Sequence, residues 1–101
     1  MIIYNITMQV DWAVHDQWKE WLVSEYLPAF INTGLFSHYQ LNILLEVNEE
    51  DGPTYAVQLY AKSAAQVYEF RELFLEEFQQ RERTAWGDHA YSFGTIMQVI
   101  N

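Results

Sequence analysis

Ile2-Ile3-Tyr4-Asn5-Ile6-Thr7-Met8-Gln9-Val10 alternates two kinds of side chain with a period of two. Ile2, Tyr4, Ile6, Met8 and Val10 form one set, and Ile3, Asn5, Thr7 and Gln9 the other. Side chains of a strand point to opposite faces in turn, so this stretch reads as a β-strand with one apolar face. Beyond it the period changes. Val14, Trp18, Trp21, Leu22 and Ala29 fall on one helical stripe, and Asp11 and Asp16 flank its start, where the helix dipole favours carboxylates.

Pro28 falls inside this helical pattern. It has no N–H to donate to the Ser24 carbonyl, so a kink or an early stop is expected there. Asn32-Thr33-Gly34 closes the helix, with Gly34 free to turn left-handed. Phe36 to Val47 reads as a long strand, Asn48 to Pro53 as a turn and Thr54 to Ala61 as a further strand. Ser63 and Gln66 have capping-box spacing, and the helix they open carries Val67, Phe70, Phe74 and Phe78 on one stripe. Trp86-Gly87-Asp88 ends it, and His89 to Ile100 supplies a last strand. The order β-α-β-β-α-β predicts an α+β fold over residues 1–101, treated as a single domain. Its architecture is the ferredoxin-like one, a four-stranded antiparallel sheet with both helices on one face. This reading makes strands one and three central, parallel neighbours, and runs the two helices parallel to each other.

Composition narrows the function. The 101 residues hold five basic and fourteen acidic side chains, a formal charge of −9. Nucleic acids and anionic membrane surfaces need Lys and Arg, so neither is an expected partner. Half the residues are hydrophobic, enough for a core, but no run reaches the length of a membrane span. The absence of cysteine removes disulfides, thiol nucleophiles and cysteine-zinc sites. The first residues lack the basic start of a secretion signal, so a cytoplasmic location is expected. His15, His38 and His89 fall on different elements without ligand spacing, and Glu49-Glu50-Asp51 lacks the alternation of a calcium loop. No glycine-rich phosphate loop and no nucleophile elbow is present. Neither metal nor cofactor is therefore expected.

The second face of the two central strands carries Asn5, Thr7 and Gln9 with Ala56, Gln58 and Tyr60. A face open to water more often carries Lys, Glu and Arg. Cover by a second copy of the same sheet accounts for the missing charge, so a homodimer is the expected assembly.

Met1-Ile2-Ile3-Tyr4-Asn5-Ile6-Thr7 resembles the opening of the bacterial domain of unknown function family 4286. The resemblance continues through Trp18 to Trp21, Glu25 to Pro28, Thr33-Gly34-Leu35-Phe36 and Leu44-Leu45-Glu46-Val47. It also takes in Gly52-Pro53-Thr54-Tyr55-Ala56-Val57-Gln58, Trp86-Gly87-Asp88 and Met97-Gln98-Val99. It covers nearly the whole chain and implies a ferredoxin-like protomer of the dimeric α+β barrel type. That group includes cofactor-free monooxygenases, haem-degrading enzymes and dimers without known activity. Where family members read Glu-His-Ile-Pro, this chain has Glu25-Tyr26-Leu27-Pro28, so chemistry dependent on that imidazole would be absent or changed.

Glu25 is the sharpest local candidate, because helical geometry projects it between Trp18, Trp21, Leu22 and Ala29. Two indoles around a carboxylate would raise its pKa and suit it to acid–base work. The structural alternative is a glutamate that reaches water or pairs with a cation. Arg81, three residues after Phe78, is either that cation or a stem laid over Phe78. Tyr26 is a second catalytic candidate, able to donate from its phenol. The expected ligand cavity lies between helices and sheet, lined by Tyr4, Trp18, Trp21, Glu25, Tyr26, Phe74 and Arg81. The expected function is a non-catalytic homodimer that binds a small hydrophobic molecule or another protein. The alternative is a cofactor-free, monooxygenase-like enzyme for a small aromatic substrate, with Glu25 as its acid or base.

Overall fold

The computed structural model describes residues 1–101. Strand β1 (Ile2–Val10) leads through a short turn into helix α1 (His15–Trp21). A wide π-turn over Leu22–Tyr26 joins α1 to α2 (Leu27–Asn32), so a single helical arm runs from residue 15 to residue 32. Strands β2 (His38–Ile43) and β3 (Thr54–Ala61) follow. Helices α3 (Ala64–Leu73) and α4 (Leu75–Trp86) form the second arm, and β4 (Ala90–Gln98) ends the fold.

The arm passes Pro28 without stopping. Leu27 donates its N–H to the Leu22 carbonyl, one residue further back than in an α-helix, and Pro28 falls in the first turn of α2, where a missing donor is tolerated. Gly34 ends the arm with φ +80°, the left-handed conformation expected of it. β2 is shorter than expected. Glu46 takes φ +59°, which no strand can continue, and residues 44–47 form part of the loop to β3. The helix over residues 64–86 is broken at Phe74, whose φ of −126° separates α3 from α4. At its start the Gln66 side chain accepts from the Lys62 and Ser63 N–H groups at 2.8 and 3.4 Å.

The sheet order is β2-β3-β1-β4 and every pairing is antiparallel. This is the ferredoxin-like arrangement, but it corrects the expected parallel pairing of β1 and β3. β2 returns in the direction of β1 after the crossover. β3 then turns back beside β2 and must oppose β1, with Ile6 facing Val57. The helical arms inherit the same reversal and run antiparallel. Trp21 packs on Trp86, Tyr26 on Phe78 and Phe30 on Phe70.

Tyr4, Ile6, Met8 and Val10 with Tyr55, Val57, Leu59 and Ala61 form the buried face under the arms. Phe30, Phe70 and Phe78 close the layer above, with ring centroids 4.4–5.2 Å apart. The opposite face is uncharged across all four strands. Its cross-strand rows are His38–Tyr60–Ile3–Met97, Gln40–Gln58–Asn5–Thr95, Asn42–Ala56–Thr7–Phe93 and Thr54–Gln9–Tyr91. His38 stacks on Tyr60 with centroids 4.4 Å apart, while Tyr91 and Phe93 stand 58% exposed at the β4 edge.

Candidate functional site

An open groove of about 660 Å³ runs between the two helical arms on the side away from the sheet. Trp21, Glu25 and Tyr26 line it from the first arm, and Glu77, Gln80, Arg81, Thr84 and Ala85 from the second. It continues past Glu77 and Arg81 into a shallower stretch of about 440 Å³ bounded by Ala29, Asn32 and Phe74. The helical repeat explains the assembly: antiparallel arms bring the middle turn of one against the middle turn of the other. Glu25 and Arg81 therefore meet across one groove even though the arms do not run parallel.

Five of the expected ligand residues reach this groove: Trp21, Glu25, Tyr26, Arg81 and, in its continuation, Phe74. Trp18 does not; it is 1% exposed in the core, packed on Tyr55. Tyr4 lies beneath, lining a separate cleft against β4. The space between helices and sheet under Trp18 is filled by side chains, because aromatic rings occupy the volume a cavity would need.

Glu25 is exposed, so the desolvation expected from two flanking indoles is missing. It makes no ion pair with Arg81. The Arg81 guanidinium instead lies 4.0 Å from Glu77 and 5.1 Å from the centre of the Phe78 ring, its stem laid over the core. Tyr26 is buried rather than rimmed by water. Its hydroxyl donates to the Phe78 carbonyl at 3.0 Å and ties the two arms together. Burial, and then the negative charge of Glu82, push its phenol well above the usual tyrosine range.

The residue that sequence reading passed over is Glu82. It is 7% exposed and is the buried charged side chain of the fold. Its Oε2 accepts from the Ser92 hydroxyl at 2.7 Å. Burial raises its pKa above the ordinary carboxylate value, against the opposing effects of the Ser92 hydrogen bond and the Arg83 charge. The signal for it was legible: Glu82 follows Phe78 by four residues, one turn along the buried stripe of α4. A second polar chain lies at the other end of the fold. His15 Nε2 is 2.7 Å from the Tyr55 hydroxyl and its Nδ1 is 3.0 Å from Asp16. Burial raises the Tyr55 pKa, with smaller contributions from Glu49 and Asp16.

Residues 1–100 match a family described as "Domain of unknown function (DUF4286)". No curated protein matches the chain. Among the solved structures that share its fold are two proteins. HapK from Hahella chejuensis aligns with TM-score 0.69 and 12% identity, over 99% of this chain and 93% of that one. A dimeric ferredoxin-like protein from an uncultured marine organism aligns with TM-score 0.53 and 10% identity, over 99% and 96%. No helix of the fold is long and apolar enough to cross a membrane.

Proposed function

The chain belongs to the DUF4286 family, whose description assigns no activity, and we propose that it is a homodimeric binding module. In this reading two copies pair through their uncharged sheet faces, and each holds a small hydrophobic molecule in its interhelical groove. The observation that carries it is the partition of charge. A chain of net charge −9 leaves one whole four-stranded face without a charged side chain. Water does not require that, whereas a second copy of the same face does, because desolvating a charge against its own image is unfavourable. The dimeric ferredoxin-like structure is support of the same kind from a distant relative. In the groove, Trp21 offers an apolar floor, and Glu25 and Arg81 offer opposite charges at the rim.

Native mass spectrometry of the freshly purified chain tests both parts. A dimer with a reproducible added mass supports the module as proposed. The double variant Thr7→Lys, Gln58→Lys places like charges at the centre of the pairing faces and is expected to give monomers. A dimer unchanged by both lysines would refute the sheet-to-sheet arrangement.

A further inference from the structure

A second pair of clefts lies between α4 and β4, away from the interhelical groove. One, of about 320 Å³, is polar, with Glu82, Ser92, Gln79, Asp88 and Arg83 among its walls. The other, of about 240 Å³, is largely apolar, with Leu75, Phe78 and Tyr4 among its walls. They share Gln79 and Ser92, so the Glu82–Ser92 hydrogen bond stands where polar cleft meets apolar cleft. The side chains that β4 turns toward α4 explain the room. Ala90, Ser92 and Gly94 are small, and a side chain at Gly94 would collide with the Tyr4 ring at 2.6 Å.

We propose that this α4–β4 cleft binds an organic amine, with the Glu82 carboxyl receiving the ammonium and the apolar cleft receiving the body of the molecule. Buried carboxylates are as a rule paired with a cation. Glu82 has a hydroxyl partner and no ion pair: Arg83, which lines the same cleft and acts on Glu82 only through its charge, turns its guanidinium to Gln80 at 3.4 Å. An ammonium at the open side of the cleft would supply the missing charge. Two cations stand near the site, Arg83 on the wall of the polar cleft and Arg71 on the wall of the apolar one, its guanidinium 5.3 Å from the centre of the Tyr4 ring; the other groups around Glu82 carry little positive charge. Asp88 in the turn is acidic, Tyr26 of the first arm and Tyr91 of β4 are phenols, and His89 is turned to Asp11 at 3.0 Å.

The test is a titration of the ¹⁵N-labelled full chain with phenethylamine, and with phenethyl alcohol as its uncharged counterpart, followed by amide shifts. The amine is expected to move the amides of Glu82, Ser92 and Gly94. It should bind at least about tenfold more tightly than the alcohol, one ion-pairing interaction being about 1.4 kcal/mol or more. Its affinity should rise as pH climbs above the ordinary carboxylate range and Glu82 loses its proton. Glu82→Gln is expected to remove that advantage. Equal binding of amine and alcohol, affinity that falls with pH, or shifts confined to Trp21 and Ala85 would each overturn the proposal. The comparison of amine and alcohol needs no variant, so a Glu82→Gln chain that failed to fold would leave the test decisive. The interhelical groove reading stands or falls separately, on shifts at Trp21 and Ala85.

Discussion

Glu82 couples the proton equilibrium of one carboxyl to folding. Between its ordinary pKa and its raised folded value, the native chain holds a proton that the unfolded chain has lost. Stability therefore falls as pH rises through that window, and the full penalty applies above it. Glu82→Gln keeps an acceptor for Ser92 and removes the titration. Its urea stability relative to wild type is expected to climb as pH rises above about 4, the ordinary carboxylate pKa. A constant difference over that range would mean that folding does not perturb Glu82. Gly94 acts at the same scale by what it lacks. Gly94→Ala pushes a methyl into the Tyr4 ring and is expected to destabilise by about 1–3 kcal/mol in the same assay. A neutral Gly94→Ala would mean that Tyr4 can move aside, and that the apolar cleft is not closed on that side.

The two helical arms are joined by aromatic packing and by one polar bond. Tyr26 sits in the π-turn, its ring stacked on Trp21 at 4.4 Å and its hydroxyl on the Phe78 carbonyl. Tyr26→Phe keeps the ring and removes the one hydrogen bond between the arms. Equilibrium unfolding is expected to show a loss of about 1–2 kcal/mol. Phe30→Ala is a harsher test of the same layer, because its ring contacts Tyr26, Phe36, Phe70 and Phe78. A loss of about 3–5 kcal/mol is expected. A Phe30→Ala chain within about 1 kcal/mol of wild type would mean that the arms are not held by this cluster.

At the scale of the molecule, charge and assembly oppose each other. Two copies at −9 each repel, while the faces proposed to pair carry no charge to attract. Salt screens the repulsion and has no ion pair to weaken at such an interface. The dimer is therefore expected to tighten as ionic strength rises from about 0.02 to about 0.2 M, read by sedimentation equilibrium. Loosening with salt would point to a different, salt-bridged pairing surface.

Element order, the apolar face of β1 and β3, the Gly34 turn and the Ser63–Gln66 helix start were all legible in the sequence. Each depends on the spacing of near neighbours along the chain, which local periodicity records directly. The uncharged sheet face was legible for the same reason, since alternation separates it from the core face. The direction of β1 against β3 was not, because it follows from the path of the whole chain through β2. The site was divided in the same way. Trp21, Glu25, Tyr26 and Arg81 could be proposed together from two helical stripes, yet their burial could not. Only packing decided that Tyr26 is sealed and Glu25 is wet, because the helical stripe shows which side faces inward but not where the opposite arm ends its cover. Glu82 lay on a visible stripe, but its partner Ser92 comes from β4, and only the fold brings that hydroxyl to the carboxyl.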